Sequence, residues 1–496
     1  MTKYTAILIG VLLVYLIVNL VAGLVVSRQQ ARRDAKKSFL NNYFMGGRSM
    51  GGLVLAMTLV ATFTSASSFI GGPGVAYEKG LVWVYLSMVQ VPTAFIILSI
   101  LGKKFAIIAR KTNAVTVTDF LRERYGSKAV VWFSSICLVL FFIAQMMSQF
   151  IGGAVLFQSI TGLPYIYGLA LFGIVVIVYT SVGGFKAVTT TDTIQGIIMV
   201  LGGFIILFTI ISAAGGFDSL VEKLNVENPD WADITAGGTT TKAYVMSFWV
   251  LVGVGTLGLP QTAVRGMGFK DTKALHSAMI YGTIVIGFLM LVMHISGVFA
   301  PAVLSPDEFE TTDYVVPAIV LKYMNPVVAG LFIAAPLAAV MSTVSSLLIL
   351  ASAAIVKDLY LNYLAKEETK AAAGFDRKIK HMSLWATLIV GAIVFVFTIY
   401  PPDLIVWINL FAMGGLECAF FCPIIFGLYW KRANTAACLL SGVSGVLAFI
   451  IMTSYNVTWL GLSPIVPSIL ISIGAFVIGA FAGKRTAPER LEVFFE

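Results

Sequence analysis

The sequence predicts an all-α polytopic membrane protein with thirteen transmembrane helices. Three observations predict it. The 496 residues are 58% hydrophobic and only 11% charged, far too little charge to cover a soluble surface of this size. Uncharged runs of about 20 residues, each long enough to cross a hydrocarbon core, recur along the whole chain. Of the 33 Lys and Arg, 28 fall in loops on one side of that pattern and 5 on the other.

The spans, in order, are 5–26, 50–77, 80–102, 129–158, 165–185, 193–214, 244–264, 277–302, 326–356, 383–400, 404–430, 435–454 and 464–483, and are called spans 1 to 13 below. Span 1 is too long for a signal-peptide core, has no small-residue cleavage site and precedes its basic cluster, so it reads as a retained helix. The charge asymmetry puts the amino terminus outside and the carboxyl terminus in the cytoplasm, with 27–49 and 357–382 as cytoplasmic loops and 215–243 and 303–325 as external ones. Residues 1–496 are thus expected to form a single integral membrane domain, because no hydrophilic stretch is long enough to build its own core. The net charge of +9 lies in short loops, which points to a bilayer and not to nucleic acid. Cys137, Cys418, Cys422 and Cys438 all sit in apolar runs, so neither a disulfide framework nor a zinc site is expected.

Two spans depart from plain apolar composition. Span 2 gathers Thr58, Thr62, Thr64, Ser65, Ser67 and Ser68, followed by Gly71, Gly72, Pro73 and Gly74. Span 7 contains Gly253, Gly255, Gly258 and Pro260. Glycine and proline weaken the helical ladder in both. Five spans apart, the two run in opposite directions, so interrupted helices recur at matching positions of two oppositely oriented five-helix units. That is the pattern of an inverted-repeat transporter, in which freed carbonyls hold an ion at mid-membrane. In span 9, Ala339, Ser342 and Thr343 share one helix face. Two hydroxyls and one carbonyl from that face, with two carbonyls from the break of span 2, would make a five-oxygen site for a sodium ion. The same small residues equally suit close helix packing.

At these positions the chain resembles the sodium/solute symporter family, over nearly its whole length. The resemblance is carried by Asn42-Tyr-Phe-Met-Gly-Gly-Arg-Ser-Met50, Ser67-Ser-Phe-Ile-Gly-Gly-Pro-Gly74, Tyr179-Thr-Ser-Val-Gly-Gly-Phe-Lys-Ala187 and Thr191-Asp-Thr-Ile-Gln195. Leu259-Pro-Gln-Thr-Ala-Val-Arg265, Met341-Ser-Thr343, Val356-Lys-Asp-Leu-Tyr360 and Trp407-Ile-Asn-Leu410 add to it. It implies a leucine-transporter-type core in a bacterial inner membrane, with spans 2–6 and 7–11 as the inverted repeats. It also implies sodium as coupling ion with no other cofactor, and a sodium site at the backbone oxygens of Ala61, Thr64 and Ala339 and the hydroxyls of Ser342 and Thr343. Asp192 matches an aspartate near the family's cytoplasmic ion exit, although a loop aspartate capping span 6 accounts for it equally well. Likeness through spans 2–4, 7 and 11 implies pantothenate as the solute, with another small carboxylate or proline as alternative. Proline transporters of the family carry an aspartate where this chain has Phe63, which disfavours proline.

Pantothenate has a carboxylate, an amide, two hydroxyls and a gem-dimethyl group, so its pocket should mix polar groups with apolar walls. Ser68, Gln90, Gln149, Thr256 and Glu417 are the candidates within spans. The glutamines equally suit bridging between helices. Glu417 is the one acid deep inside a span and is functional by default, a neutral structural acid being the alternative. His294 reads as a packing histidine, and no Lys or Arg is expected within the membrane to meet an anion. The Gly-rich runs lack a phosphate-binding lysine, so neither an ATP-driven pump nor an enzyme is supported. A solute-responsive sensor or a channel remain the rivals from other classes. The expected partners are pantothenate, sodium and the bilayer, with no obligatory protein partner.

Overall fold

Ten of the expected spans are single helices long and apolar enough to cross a membrane, among the residues 3–33, 48–365 and 374–496 that the computed structural model describes. Span 2 is a bent pair, Gly52–Phe63 and Ser67–Lys79, with 64° between its halves. Two shorter apolar helices, Tyr165–Val178 and Lys242–Gly258, stand where spans 5 and 7 are expected. The motif at 42–50 lies outside the described residues up to position 47, as do the side chains at 179 and 182–187.

Span 9, Pro326–Ala353, is the centre of the molecule, and every residue from 332 to 353 is buried. Its run of Ala and Ser lets spans 1, 4, 6 and 10 approach it closely. Gly202 of span 6 lies directly against Ala335 and has no room for a Cβ. Spans 12 and 13 pack on each other and on span 11, at the edge of this core.

Two expectations about polar residues are corrected. Span 9 does not end before Lys357; it runs on as a π-helix, Ala354–Leu364. Lys357 is ion-paired with Asp119, and Asp358 accepts the Thr116 hydroxyl at 2.8 Å, so these charges are desolvated together and the helix continues past them. Arg265 is not a loop residue either. It closes the helix Pro260–Arg265 and is 1% exposed, so a cation does lie within the bundle.

At the other end of the bundle the 303–325 segment folds over the core in 3-10 turns and a helix, Val315–Tyr323. Buried Asp313 accepts the Ile405 backbone N–H at 3.2 Å, satisfying one of the free donors at the start of span 11. Burial, reinforced by Asp403 and opposed by that N–H, pushes the Asp313 carboxyl up to about 6 from 3.8. The folded state therefore holds an extra proton between those two values. Stability contributed by this group is full below pH of about 4 and is lost as pH rises through about 6, by at most roughly 3 kcal/mol. Asp313→Asn should flatten that part of the thermal-unfolding profile; an unchanged slope between pH 4.5 and 7 would assign it elsewhere.

Candidate functional site

The break in span 2 begins where Thr64 leaves helical geometry, with ψ of 124°. The helix restarts as a π turn, Ser67–Gly71, and then as Gly72–Lys79, whose first turn holds Pro73. The Ala66 N–H, which faces no ladder partner, donates to Gln149 Oε1 at 2.9 Å, and Gln149 Nε2 donates to the Ser148 hydroxyl. Gly152 on the same face of span 4 lies against Ala66. Gln149 thus secures the break from outside the cavity.

The interruption leaves carbonyls turned toward span 9. Ser342 Oγ lies 2.9 Å from Ala339 O and 3.2 Å from Ala61 O. Thr343 Oγ1 lies 2.9 Å from Ala339 O and 3.4 Å from both Ala61 O and Thr64 O. The structure brings all five oxygens named from the sequence into one buried cluster. Oxygens placed about 2.4 Å from a common hard cation sit about 3.4 Å apart at right angles, so this spacing suits one after small hydroxyl rotations. All five donors are neutral, which suits an ion that must leave again.

The other residues of the same break face a cavity. Thr62, Phe63, Ser65, Ser67 and Ser68 line it from span 2, with Trp83, Ser87 and Gln90 from span 3, Phe248 and Gln261 from span 7, and Asn409 and Met413 from span 11. Its volume is about 50 Å³. Across its floor Gln261 Nε2 donates to Gln145 Oε1 at 3.2 Å and Gln145 Nε2 to Asn409 Oδ1 at 3.4 Å, while Gln261 Oε1 is left without a partner. His294 also lines the cavity; its Nδ1 meets the Met290 carbonyl at 2.7 Å and its other ring nitrogen packs on Gly72.

Of the five solute candidates, Ser68 and Gln90 line the cavity and three do not. Gln149 holds the span 2 break. Thr256 is turned onto its own helix, donating to Gly253 O at 2.5 Å. Glu417 is buried behind Gly255 with neither oxygen bonded. Gln145, Gln261 and Asn409 were missed, although Gln261 and Asn409 stand inside motifs quoted above. A signal was present, since buried amides are costly unless bonded to something.

Below the cation cluster lies a second polar group. Asp192 is fully buried inside the helical segment Tyr165–Ala214, so it does not cap span 6 from a loop. Its Oδ2 accepts the Thr58 hydroxyl at 2.6 Å and lies 4.0 Å from Arg265 Nη2. Arg265 donates to Thr58 O at 3.0 Å, to Gln261 O and to the Ser346 hydroxyl at 2.9 Å. One guanidinium therefore joins spans 2, 7 and 9, and touches the backbone of a residue that lines the cavity.

Comparison with known proteins agrees with this architecture. Residues 43–445 match the sodium:solute symporter family. The chain is 45% identical over 445 residues to the sodium/pantothenate symporter of Escherichia coli K12, covering 89% of this chain and 90% of that protein. It is 46% identical over 451 residues to the sodium/pantothenate symporter of Haemophilus influenzae Rd, covering 91% and 92%. In three dimensions it is similar to a substrate-bound, outward-open sodium-coupled sialic acid symporter, with a TM-score of 0.80 over 97% of this chain and 99% of that one at 18% identity. The shared fold is of the leucine-transporter type.

Proposed function

Because the chain belongs to the sodium:solute symporter family, a family of transporters and not of enzymes, we propose that it takes up pantothenate across a bacterial cell membrane by sodium symport. One observation carries the reading: a single helix break borders both the oxygen cluster and the cavity. Ala61 and Thr64 turn their carbonyls to the cation cluster, and Phe63 and Ser65 between and beside them line the cavity. Sodium held by five oxygens ties spans 2 and 9 together and so fixes the wall on which the solute rests. The gem-dimethyl group fits beside Phe63, Trp83 and Phe248, and the hydroxyls and amide pair with the Gln145, Gln261 and Asn409 amides. Asp192 and Arg265 lie beneath, on the ion's way out.

The direct test is uptake of labelled pantothenate into proteoliposomes with and without an inward sodium gradient, with unlabelled proline as competitor. Gradient-dependent accumulation that proline leaves intact is the expected result. Accumulation without sodium, or displacement by proline, would overturn the assignment. Within the cavity, Gln145→Leu, Gln261→Leu and Asn409→Leu should each raise the pantothenate KM by about three- to ten-fold, the net value of one hydrogen bond. An unchanged KM in all three would remove the amides from solute recognition.

The orientation is part of the proposal. Thirteen crossings with the amino terminus outside and the carboxyl terminus in the cytoplasm follow from the charge asymmetry. Cysteines at Lys223 and Lys242 should then react with an impermeant thiol reagent added outside, and one at Arg432 only from within. Reversed labelling at two of these positions would exclude that topology. Lys366, another marker for the inner side, lies outside the described residues.

A further inference from the structure

We propose that Glu417 is a second coupling site, occupied by a proton and set against the break of span 7 beneath the solute cavity. The role given to that proton rests on the symport reading above; its presence does not. Glu417 stands one helical turn beyond Met413, which lines the cavity, so the two share a face of span 11. It is fully buried, and neither carboxyl oxygen has a hydrogen-bond partner. One oxygen fills the space that a side chain at Gly255 would need, and the Val250 carbonyl borders the same space.

An ionised carboxylate there is shut off from bulk solvent and faces no counter-charge among the described residues. The elements packed around it supply none. The π and 3-10 turns of span 7, Trp249–Gly253 and Val254–Gly258, carry no charged residue. Cys418 and Cys422 on span 11, Cys137 on span 4 and Cys438 on span 12 are free thiols and offer no positive charge. Arg124 donates to Gly427 O, about 15 Å farther along span 11. Asp119, Arg122, Glu123 and Lys357 pair among themselves, and Lys128 starts span 4, all at that same far end. A carboxyl and one carbonyl are too few oxygens for a hard metal cation, against the five gathered at the break of span 2. A proton needs no such set, because one carboxyl oxygen holds it and the group is then neutral.

When the span 7 break opens to water, the carboxyl O–H bond breaks and the proton passes to water, leaving a hydrated carboxylate. A proton taken up on the opposite side restores the neutral acid. One sodium with one monoanion moves no net charge; with this proton the cycle moves one positive charge.

The test uses the full-length protein in lipid. Infrared difference spectra read a carboxylic-acid C=O band directly, and a trapped pH indicator in proteoliposomes reads acidification driven by pantothenate. The expected result is both signals in the parent and loss of both in Glu417→Gln, with sodium-dependent thermal stabilisation showing that the variant is folded. Should that variant fail to fold, Glu417→Asp should shift the band. A parent without the acid band, an unshifted band in Glu417→Asp, or acidification that survives Glu417→Gln overturns the proposal. A parent that keeps the band, which Glu417→Gln removes, but lacks sodium-driven pantothenate uptake supports the proton site and overturns the substrate reading instead.

Discussion

Ser342→Ala and Thr343→Ala should each raise the sodium concentration for half-maximal uptake by roughly ten- to hundred-fold, about 1.5–3 kcal/mol for one oxygen to a charged partner. Each hydroxyl is one of five oxygens, and each bridges Ala339 O to the freed carbonyls of span 2. Neither is replaceable by a neighbour, because Ser345 turns its hydroxyl back to Ser342 O at 3.1 Å and Ser346 is engaged by Arg265. Ser342→Thr, which keeps the oxygen, should lose far less than the alanine variant. The measurement is sodium-dependent uptake at fixed solute, with membrane abundance checked in parallel. Parental sodium dependence in both alanine variants would place the ion elsewhere.

Arg265→Leu should be more damaging. Removing one partner of a buried ion pair leaves the other unpaired and typically costs about 3–5 kcal/mol. Here the loss also removes the guanidinium's bonds to Thr58 O, Gln261 O and the Ser346 hydroxyl. We expect transport to fall below detection and the melting temperature in detergent to drop by several degrees. Asp192→Asn in the same chain should restore part of the stability, since it removes the orphaned carboxylate, but not transport. A double variant no more stable than Arg265→Leu alone would show that the 4.0 Å pair is not a coupled unit.

The fold was legible because a bilayer permits few solutions: apolar runs gave the spans, and glycine, proline and hydroxyl crowding marked both breaks. The cation cluster was legible in part. Helical spacing put Ala339, Ser342 and Thr343 on one face, while Ala61 and Thr64 came from family likeness. The solute cavity was not legible. Whether an amide faces a cavity or a neighbouring helix depends on what stands opposite it at its own depth, and the breaks in spans 2 and 7 decide that. Gln149 and Gln145 are four residues apart on one helix, yet one secures backbone and the other lines the cavity floor. Arg265 was misplaced for a related reason. A charge at a span's end reads as a loop unless the helix beyond the break carries it inward.

The clamp between Gln149 and Ala66 makes the bend in span 2 a fulcrum. If the span straightened, Ala61 O and Thr64 O would be drawn back into the helical ladder, and the Gln149 oxygen would be stranded in an apolar interior. The two arms can pivot about Ala66, but they cannot fuse into one rod without dissolving the cation cluster. Ion occupancy and bend angle are therefore two readings of one coordinate. A pair of spectroscopic labels on the two arms would serve as a gauge of sodium, with no need to follow the solute.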